Sequence, residues 1–337
     1  MRQVLPLLFA VGCVTAPAAD DDSEPDPTQD NTPEQPSVDE PPPAFADVRC
    51  AGAPDAGATR SWRHLSSNLV NEAGAPHHRG VDLIAADTDA TQTIAGKIAY
   101  GAVDADLEDE DVDLFACVDG AWQSIGSART DSDGRFALAL TGAARLPIGM
   151  RDMFASVAGD RTGVAFIAFV APAARRVIVS DIDGTLTASE NAYPYSLAFG
   201  GDVATQPAAP QALSAAKDIT VIFISARGDY FTEDTRAWLA ANGFPRGPIH
   251  LPHSIVTVPG DDTIAFKSSA LALVEPFDVV AGVGNRASDV AAYASAGLPP
   301  TRIYIKLGEF ADELASDLQA GNATGFWDYT ALPVAAW

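Results

Sequence analysis

A short apolar run that ends in two aspartates, VIVSDIDGT at residues 177–185, determines the architecture of the C-terminal half of the chain. Such a run is typical of a strand that is buried on both faces of a parallel sheet. Similar strands are predicted at 219–224, 278–283 and 302–305, and helices at 210–217, 231–242, 265–274 and 287–296. This alternation predicts an α/β fold, with a doubly wound parallel sheet, over residues 173–337.

The two aspartates at the end of the first strand indicate phosphoryl chemistry. Gly184 permits a tight turn, so Asp181 and Asp183 can converge on one site. One carboxylate can attack phosphorus while the other handles the proton of the leaving group. Packed carboxylates repel each other, so the pair implies Mg²⁺, a hard cation that prefers oxygen ligands. Taken alone, the motif is also compatible with a turn whose acids are solvated.

Further polar residues follow the other strands, at the edge where a parallel sheet binds its ligands. The Ser225 hydroxyl and the backbone N–H of Ala226 can hold a phosphoryl oxygen. Lys267 supplies a positive charge for the attacking carboxylate and the phosphate. Asn285 and Asp289 place two oxygens on one loop-to-helix turn, where they suit a metal ion. Each residue has an ordinary explanation, such as a helix cap, but their order at the strand ends favours a site.

This ordered set resembles the haloacid-dehalogenase (HAD) superfamily of phosphatases. A closer similarity rests on four strings: DIDGTLTASE (181–190), SAR (225–227), FPRGPIHL (244–251) and PFDVVAGVGNRASDVAAYASAGLPPTRIYI (276–305). These strings resemble lipin-type phosphatidate phosphatases and the lipin-like C-terminal domain of membrane-associated phosphatidylinositol transfer proteins. The resemblance covers about residues 176–310.

The resemblance implies a role for each site residue. Asp181 would be the nucleophile that forms an aspartyl-phosphate, and Asp183 would protonate the leaving alkoxide and then activate water. The implied phosphate-binding residues are Thr185, Ser225, Ala226 and Lys267. The implied Mg²⁺ ligands are Asp181, the backbone carbonyl of Asp183, Asn285 and Asp289. The implied activity is an Mg²⁺-dependent phosphatase that hydrolyses a lipid phosphomonoester, in the first place phosphatidate to diacylglycerol.

Two alternatives stay open: a phosphatase for a soluble phosphomonoester, and a non-catalytic module that binds phosphatidate or a phosphoinositide. The intact DxDGT motif and Lys267 favour catalysis. The expected partner is a phospholipid membrane or a lipid substrate, and the sequence indicates no protein partner. With 21 basic and 45 acidic residues the net charge is −24, and no basic face is visible. Nucleic acid is therefore excluded as a partner.

Short connections predict an open site. Little chain separates Thr185 from Ser225, or Ser225 from Lys267, so a large cap domain does not fit. An open site needs a substrate that brings its own surface, such as a phosphate on a bilayer. Three arginines are candidate contacts for an anionic headgroup, although a solvated helix face also explains the second: Arg227, Arg236 and Arg246.

Residues 45–172 predict a different fold. Short β-type runs alternate with turn signals such as Asp119-Gly120. This pattern predicts a small all-β sandwich of the immunoglobulin-like or transthyretin-like kind. The acidic stretch 104–113 within it is predicted to be a solvated loop.

Residues 1–19 resemble a bacterial lipoprotein signal, with a short apolar run that ends at Cys13. In this interpretation Cys13 is lipidated; the alternative is a plain signal peptide that is cleaved near Ala16–Ala19. Residues 20–44 are rich in proline and acids, which predicts a disordered tether. The expected location is outside the cytoplasm, tethered to a membrane on the periplasmic or outer side.

Two cysteines remain in the predicted body of the protein. Cys50 and Cys117 can form a disulfide, because an exported compartment permits one. Two unrelated buried thiols are the alternative.

Overall fold

The computed structural model describes residues 45–199, 201–253 and 261–337. The expected signal region 1–19, its Cys13 and the expected tether 20–44 lie outside the described residues. Among the helices that are described, none is long and apolar enough to cross a membrane.

The N-terminal part is a β-sandwich. Its strands are β1 (Asp47–Val48), β2 (Arg79–Val81), β3 (Leu83–Ala86), β4 (Thr91–Lys97), β5 (Ala99–Tyr100), β6 (Ala105–Asp106), β7 (Asp111–Val118), β8 (Ala121–Arg129), β9 (Arg135–Thr141), β10 (Gly149–Val157) and β11 (Gly163–Ala171). One sheet has the order β3-β11-β10-β7-β8, with β1 beside β10, and the other has the order β2-β4-β9. Strands β5 and β6 pair separately, and a short helix, α1 (Ser66–Asn71), precedes β2.

Alternating side chains explain how the two sheets pack. At the start of β7, Val112 and Leu114 are buried while Asp111 and Asp113 are only partly buried, as the two-residue period of a strand requires. They share one hydrophobic core with Ile94 of β4 and Phe136 of β9. The structure also joins Cys50 and Cys117 in a disulfide, with Cα atoms 5.7 Å apart.

The acidic stretch 104–113 is not a solvated loop, so that prediction is wrong. It contains all of β6 and the first three residues of β7, and most of its carboxylates pair with basic side chains from elsewhere in the sandwich. Asp104 lies 2.5 Å from the Arg79 guanidinium and 3.0 Å from Lys97 Nζ. Arg79 lies 25 positions from Asp104, so the charge pattern of the acidic stretch itself does not show this ion pair.

The C-terminal part is built on a six-stranded sheet. Its strands are β12 (Arg176–Ser180), β13 (Thr220–Ile224), β14 (Ile249–His250), β15 (Asp278–Gly284), β16 (Ile303–Lys306) and β17 (Thr324–Phe326). The order is β14-β13-β12-β15-β16-β17, and every neighbouring pair is parallel. The helices are α2 (Ala192–Phe199), α3 (Ala209–Ser214), α4 (Thr232–Ala241), α5 (Asp261–Ala272), α6 (Ala287–Ser295) and α7 (Ala315–Ala320).

Strand β12 lies in the middle of this sheet and is covered on both faces. Val177 and Val179 pack in one core with Leu271 of α5 and Tyr293 of α6. Ile178, which points the other way, packs in a second core with residues of α3 and α4. The chain is therefore α/β, with a β-sandwich in its N-terminal part and a parallel sheet in its C-terminal part. The strand order reverses at β12, which places the ends of β12, β13 and β15 side by side.

A shared core and one buried carboxylate join the sandwich to the parallel sheet. Phe169 of β11 packs edge-on against Phe277, with ring centroids 5.4 Å apart. Asp82, between β2 and β3, accepts hydrogen bonds from the backbone N–H groups of Ile167 and Ile249, both at 2.8 Å. The Arg236 guanidinium of α4 donates to both oxygens of the same carboxylate, at 3.0 and 3.1 Å.

Candidate active site

The predicted site residues meet at the carboxyl ends of three central strands. Asp181 and Asp183 follow β12, Ser225 follows β13, and Asn285 follows β15. The backbone N–H of Asp181 donates to Val283 O at 2.9 Å, so the chain continues the strand up to this residue. The turn that follows needs a positive φ, which is +69° at Gly184. This turn brings both carboxylates to one edge of the sheet.

Asp181 is buried and faces Lys267 of α5. Lys267 Nζ donates to Asp181 Oδ1 at 3.0 Å and to Asp289 Oδ1 at 2.5 Å. Burial raises the pKa of Asp181; Lys267 opposes that shift, whereas the carboxylates of Asp289, Glu190 and Asp183 add to it. Burial alone would lower the pKa of Lys267, but the two carboxylates raise it above its ordinary value. The ammonium therefore stays charged and holds one oxygen of the predicted nucleophile in place.

Asp289 supports the site from the start of α6. Its Oδ1 accepts from Lys267, and its Oδ2 accepts from the backbone N–H groups of Asn285 and Arg286, both at 3.0 Å. Asp289 is the third residue of α6, and its carboxylate satisfies the backbone N–H of the N-cap residue Arg286 and of the residue before it, as in a capping box. The structure thus places Asp289 beside Lys267 and gives both its oxygens donors, and its predicted contact with a metal stays a prediction.

Thr185 links the other oxygen of Asp181 to Asn285. Its Oγ1 lies 3.1 Å from Asp181 Oδ2 and 3.1 Å from Asn285 Oδ1. A hydroxyl has a single proton, so it can donate to only one of these oxygens at a time. Two acceptor oxygens therefore lie together with one donor between them.

Asp183 is held by two residues of the loop after β13. Arg227 donates to its Oδ1 at 2.5 Å and to its Oδ2 at 3.3 Å, and the Ser225 hydroxyl lies 3.1 Å from Oδ2. The guanidinium also stacks 3.7 Å from the ring centroid of Tyr193. Ser225 thus contacts Asp183 directly, while Ala226 lies between these two residues on the same loop, half-buried.

Glu190 is a site residue that the sequence motifs do not indicate. Its Oε2 accepts from Asn285 Nδ2 at 3.0 Å. Burial raises the pKa of Glu190, and the hydrogen bond from Asn285 opposes that shift. The only sequence signal is its place at the end of the string DIDGTLTASE (181–190), because Asn285 lies 95 positions away.

The donor set fits a hard divalent cation. Among the described residues no group of three or more His, Cys, Asp or Glu side chains is arranged to hold a metal ion. The oxygens that lie together here are instead those of the Asp181 carboxylate and the Asn285 amide, on either side of the Thr185 hydroxyl. The backbone carbonyl of Asp183 stays a predicted third ligand. Oxygen donors of these kinds suit Mg²⁺. The Thr185 hydroxyl can donate its single proton to either Asp181 Oδ2 or Asn285 Oδ1, but not to both. A cation would satisfy the oxygen that is left without this donor.

All three arginines named as candidate headgroup contacts pair with carboxylates of the fold, and their contact with a headgroup stays a prediction. Arg227 binds Asp183, and its side chain is only 4% exposed. Arg236 pairs with Asp82, and Arg246 pairs with Asp47 and Asp152 of the sandwich. The basic side chains are used to fix the loop after β13 and to join the two parts of the fold.

Two family models match the chain, one for each part. Residues 178–306 match the LNS2 domain of PITM 1-3, and residues 76–170 match the β-sandwich domain of PITM 1-3. The chain is related to the PITM 1-3 proteins. The LNS2 domain is lipin-like and belongs to a phosphatase-related family. The matches therefore confirm the predicted resemblance to PITM 1-3 proteins. Phosphatase activity stays a prediction.

Curated relatives carry PITM names. Membrane-associated phosphatidylinositol transfer protein 3 of Homo sapiens is 27% identical over 256 residues, which are 74% of this chain and 25% of that protein. Membrane-associated phosphatidylinositol transfer protein 1 of Rattus norvegicus is 28% identical over 72% of this chain and 19% of its own length. Protein retinal degeneration B of Drosophila melanogaster is 26% identical over 78% of this chain and 21% of its own length. This chain thus spans at most about a quarter of each of these relatives.

These relatives overturn the predicted localisation. They are proteins of eukaryotes, and the names of the first two describe them as membrane-associated, so the expectation of an exported bacterial lipoprotein is wrong. The expectation rested on a short N-terminal stretch around Cys13, where Ala10 stands in place of the bulky aliphatic residue of a lipobox. A pattern of so few positions weighs little against similarity over 256 residues.

Proposed function

We propose that the chain is an Mg²⁺-dependent phosphatase that hydrolyses a lipid phosphomonoester, in the first place phosphatidate. The C-terminal part would be a HAD-like domain with a doubly wound sheet, and Asp181 would carry the phosphoryl group. The observation that supports this most is the meeting of Asp181, Lys267, Thr185 and Asn285 at one sheet edge. A buried nucleophile, a cation beside it and oxygens for a metal are the parts that phosphoryl transfer needs.

The nucleophilic step falls to Asp181. Lys267 Nζ holds Oδ1 at 3.0 Å, which fixes the direction of the carboxylate. Attack by Asp181 on phosphorus would form an aspartyl-phosphate and break the bond to the lipid oxygen. When bound by Asp181, Asn285 and the carbonyl of Asp183, Mg²⁺ would supply positive charge to the phosphoryl group.

The proton steps fall to Asp183. It would give a proton to the leaving alkoxide and later take one from the water that hydrolyses the aspartyl-phosphate. Arg227 and Ser225 orient its two oxygens. Ser225 and Ala226 lie beside it on the same loop, from which they would bind phosphoryl oxygens.

A lipid substrate is supported by the relatives and by the open sheet edge. The described part of the connection from β12 to β13 holds only α2, of eight residues, and α3, of six residues. Segments of this size leave the site without a large cap. The names of the relatives describe membrane-associated phosphatidylinositol transfer proteins, which points to a lipid rather than a soluble metabolite.

A second candidate function is a module that binds a lipid phosphate without hydrolysing it. Arg227 donates to both oxygens of Asp183, an arrangement that suits a carboxylate, whereas the first proton step needs a protonated carboxyl. The relatives are named as transfer proteins rather than as phosphatases, which favours the same candidate.

Phosphate release separates the candidates. We would assay the full chain on phosphatidate in phosphatidylcholine vesicles and on glycerol 3-phosphate, each with Mg²⁺ and with EDTA. The proposal predicts Mg²⁺-dependent release, with a much higher kcat/KM on phosphatidate. Equal or better efficiency on the soluble ester would contradict the lipid assignment. Vesicle binding without release would support the second candidate.

A further inference from the structure

The side chain of Asn285 lies between two partners of opposite character. Its Nδ2 donates to Glu190 Oε2 at 3.0 Å, and its Oδ1 lies 3.1 Å from Thr185 Oγ1. A carboxylate at this distance can only accept, so the end of the amide that faces Glu190 must be the NH₂ group. The oxygen of Asn285 is thereby turned toward Thr185 and the nucleophile Asp181.

Gly184 leaves the space for this contact. A Cβ on Gly184 would lie 2.1 Å from Asn285 Nδ2 and 2.7 Å from Glu190 Oε2. The amide and the carboxylate therefore meet directly over the turn that joins Asp181 and Asp183 to the rest of the motif. Glu190 itself is held in place, because its backbone N–H donates to Glu309 Oε2 at 3.0 Å.

We propose that Glu190 is a positioning residue that sets the amide of Asn285, so that its oxygen and not its nitrogen faces the metal position. The inference rests on the proposed function, in which Asn285 is an Mg²⁺ ligand. An asparagine amide has two orientations of nearly the same shape, and one of them points N–H donors at the cation. An aspartate would present an oxygen in either orientation and would need no such partner. Glu190 is thus needed because position 285 holds an amide, which must be oriented, rather than a carboxylate.

Metal affinity tests this role without turnover. We would measure Mn²⁺ binding to the full chain by calorimetry and by the loss of free Mn²⁺ signal in electron paramagnetic resonance. Outer partners of metal ligands are typically worth about 10- to 100-fold in affinity. We therefore expect Glu190→Ala to raise the Mn²⁺ Kd by about 10-fold or more. Glu190→Gln keeps an acceptor oxygen for Asn285 Nδ2, and we expect it to stay close to the wild type.

Two further variants separate orientation from a structural effect. Glu313→Ala is the matched control, because Glu313 pairs with Arg286 on the same edge of the fold and does not contact Asn285. We expect its Mn²⁺ affinity to be unchanged. Asn285→Asp in the Glu190→Ala background should recover most of the lost affinity, since a carboxylate needs no orienting partner. A merely structural role of Glu190 would not be rescued in this way.

The outcomes are distinct. If the wild type binds Mn²⁺ and Glu190→Ala binds it equally well, the inference is overturned and the proposed function stands. If the double variant stays as weak as Glu190→Ala, Glu190 acts on something other than the amide, and the inference is again overturned. If the wild type binds no Mn²⁺ at all, the metal part of the proposed function fails and the inference fails with it.

Discussion

Replacing Asp82 with alanine should destabilise the whole folded body. Four donors converge on this one carboxylate: the backbone N–H groups of Ile167 and Ile249 and the two terminal nitrogens of Arg236. The Asp82 side chain is fully buried. Alanine removes every acceptor at once and leaves a guanidinium and two amides in a site that is largely closed to water.

The expected magnitude follows from those contacts. Breaking a buried ion pair by removing one partner costs about 3–5 kcal/mol. Each buried backbone N–H that loses its acceptor adds about 1–3 kcal/mol, although such losses are not additive. We expect Asp82→Ala to lower the free energy of unfolding by at least about 4 kcal/mol. For a body of this size, that corresponds to a fall in Tm of roughly 10 °C.

Urea and thermal unfolding, followed by far-ultraviolet circular dichroism, measure this loss. Arg236→Ala should cost less than Asp82→Ala, because Asp82 keeps its two backbone donors. Asp312→Ala, at an exposed position, is the matched control and should stay within about 0.5 kcal/mol. If Asp82→Ala lowered the free energy of unfolding by less than about 1 kcal/mol, no more than an average substitution, Asp82 would not hold the two parts of the fold together.

Two more substitution tests follow from the structure. Gly184→Ala should leave the protein folded but weaken Mn²⁺ binding by at least about 10-fold, because the new Cβ would lie 2.1 Å from Asn285 Nδ2; unchanged calorimetric affinity would contradict this. Cys50 and Cys117 should resist alkylation unless a reductant is added, and replacing both with serine should lower stability by about 4 kcal/mol in the chain-entropy model, given their separation of 67 residues. Intact mass after alkylation without a reductant measures whether these two cysteines are labelled. Labelling of both thiols would contradict the disulfide.

The central strands of the parallel sheet can be predicted from the sequence for a physical reason. β12, β13, β15 and β16 are buried on both faces, so each is a continuous apolar run with a polar residue at or just after its carboxyl end. The edge strands β14 and β17 have two and three residues and carry no such run. These two strands form because they pair with β13 and β16, and their own residues show no strand pattern.

The site residues that belong to one sequence motif could be predicted. The contacts between residues far apart in the sequence could not. Asp181 and Asp183 stand in one motif, and a glycine between them and Thr185 signals the turn. The pairing of Glu190 with Asn285 spans 95 residues, and that of Arg227 with Asp183 spans 44. No period or spacing in the chain indicates such contacts. The same limit explains why Arg236 was expected on a solvated helix face, since its partner Asp82 lies 154 residues away.

Phosphate release by Asp181→Asn tests most directly whether Asp181 is the nucleophile. We expect this variant to keep its fold, checked by circular dichroism, and to lose at least about a thousandfold in kcat on phosphatidate vesicles with Mg²⁺. The exposed Asp312→Asn should release phosphate at the rate of the wild type. An Asp181→Asn protein that retains more than about a tenth of the wild-type rate would contradict covalent catalysis by Asp181.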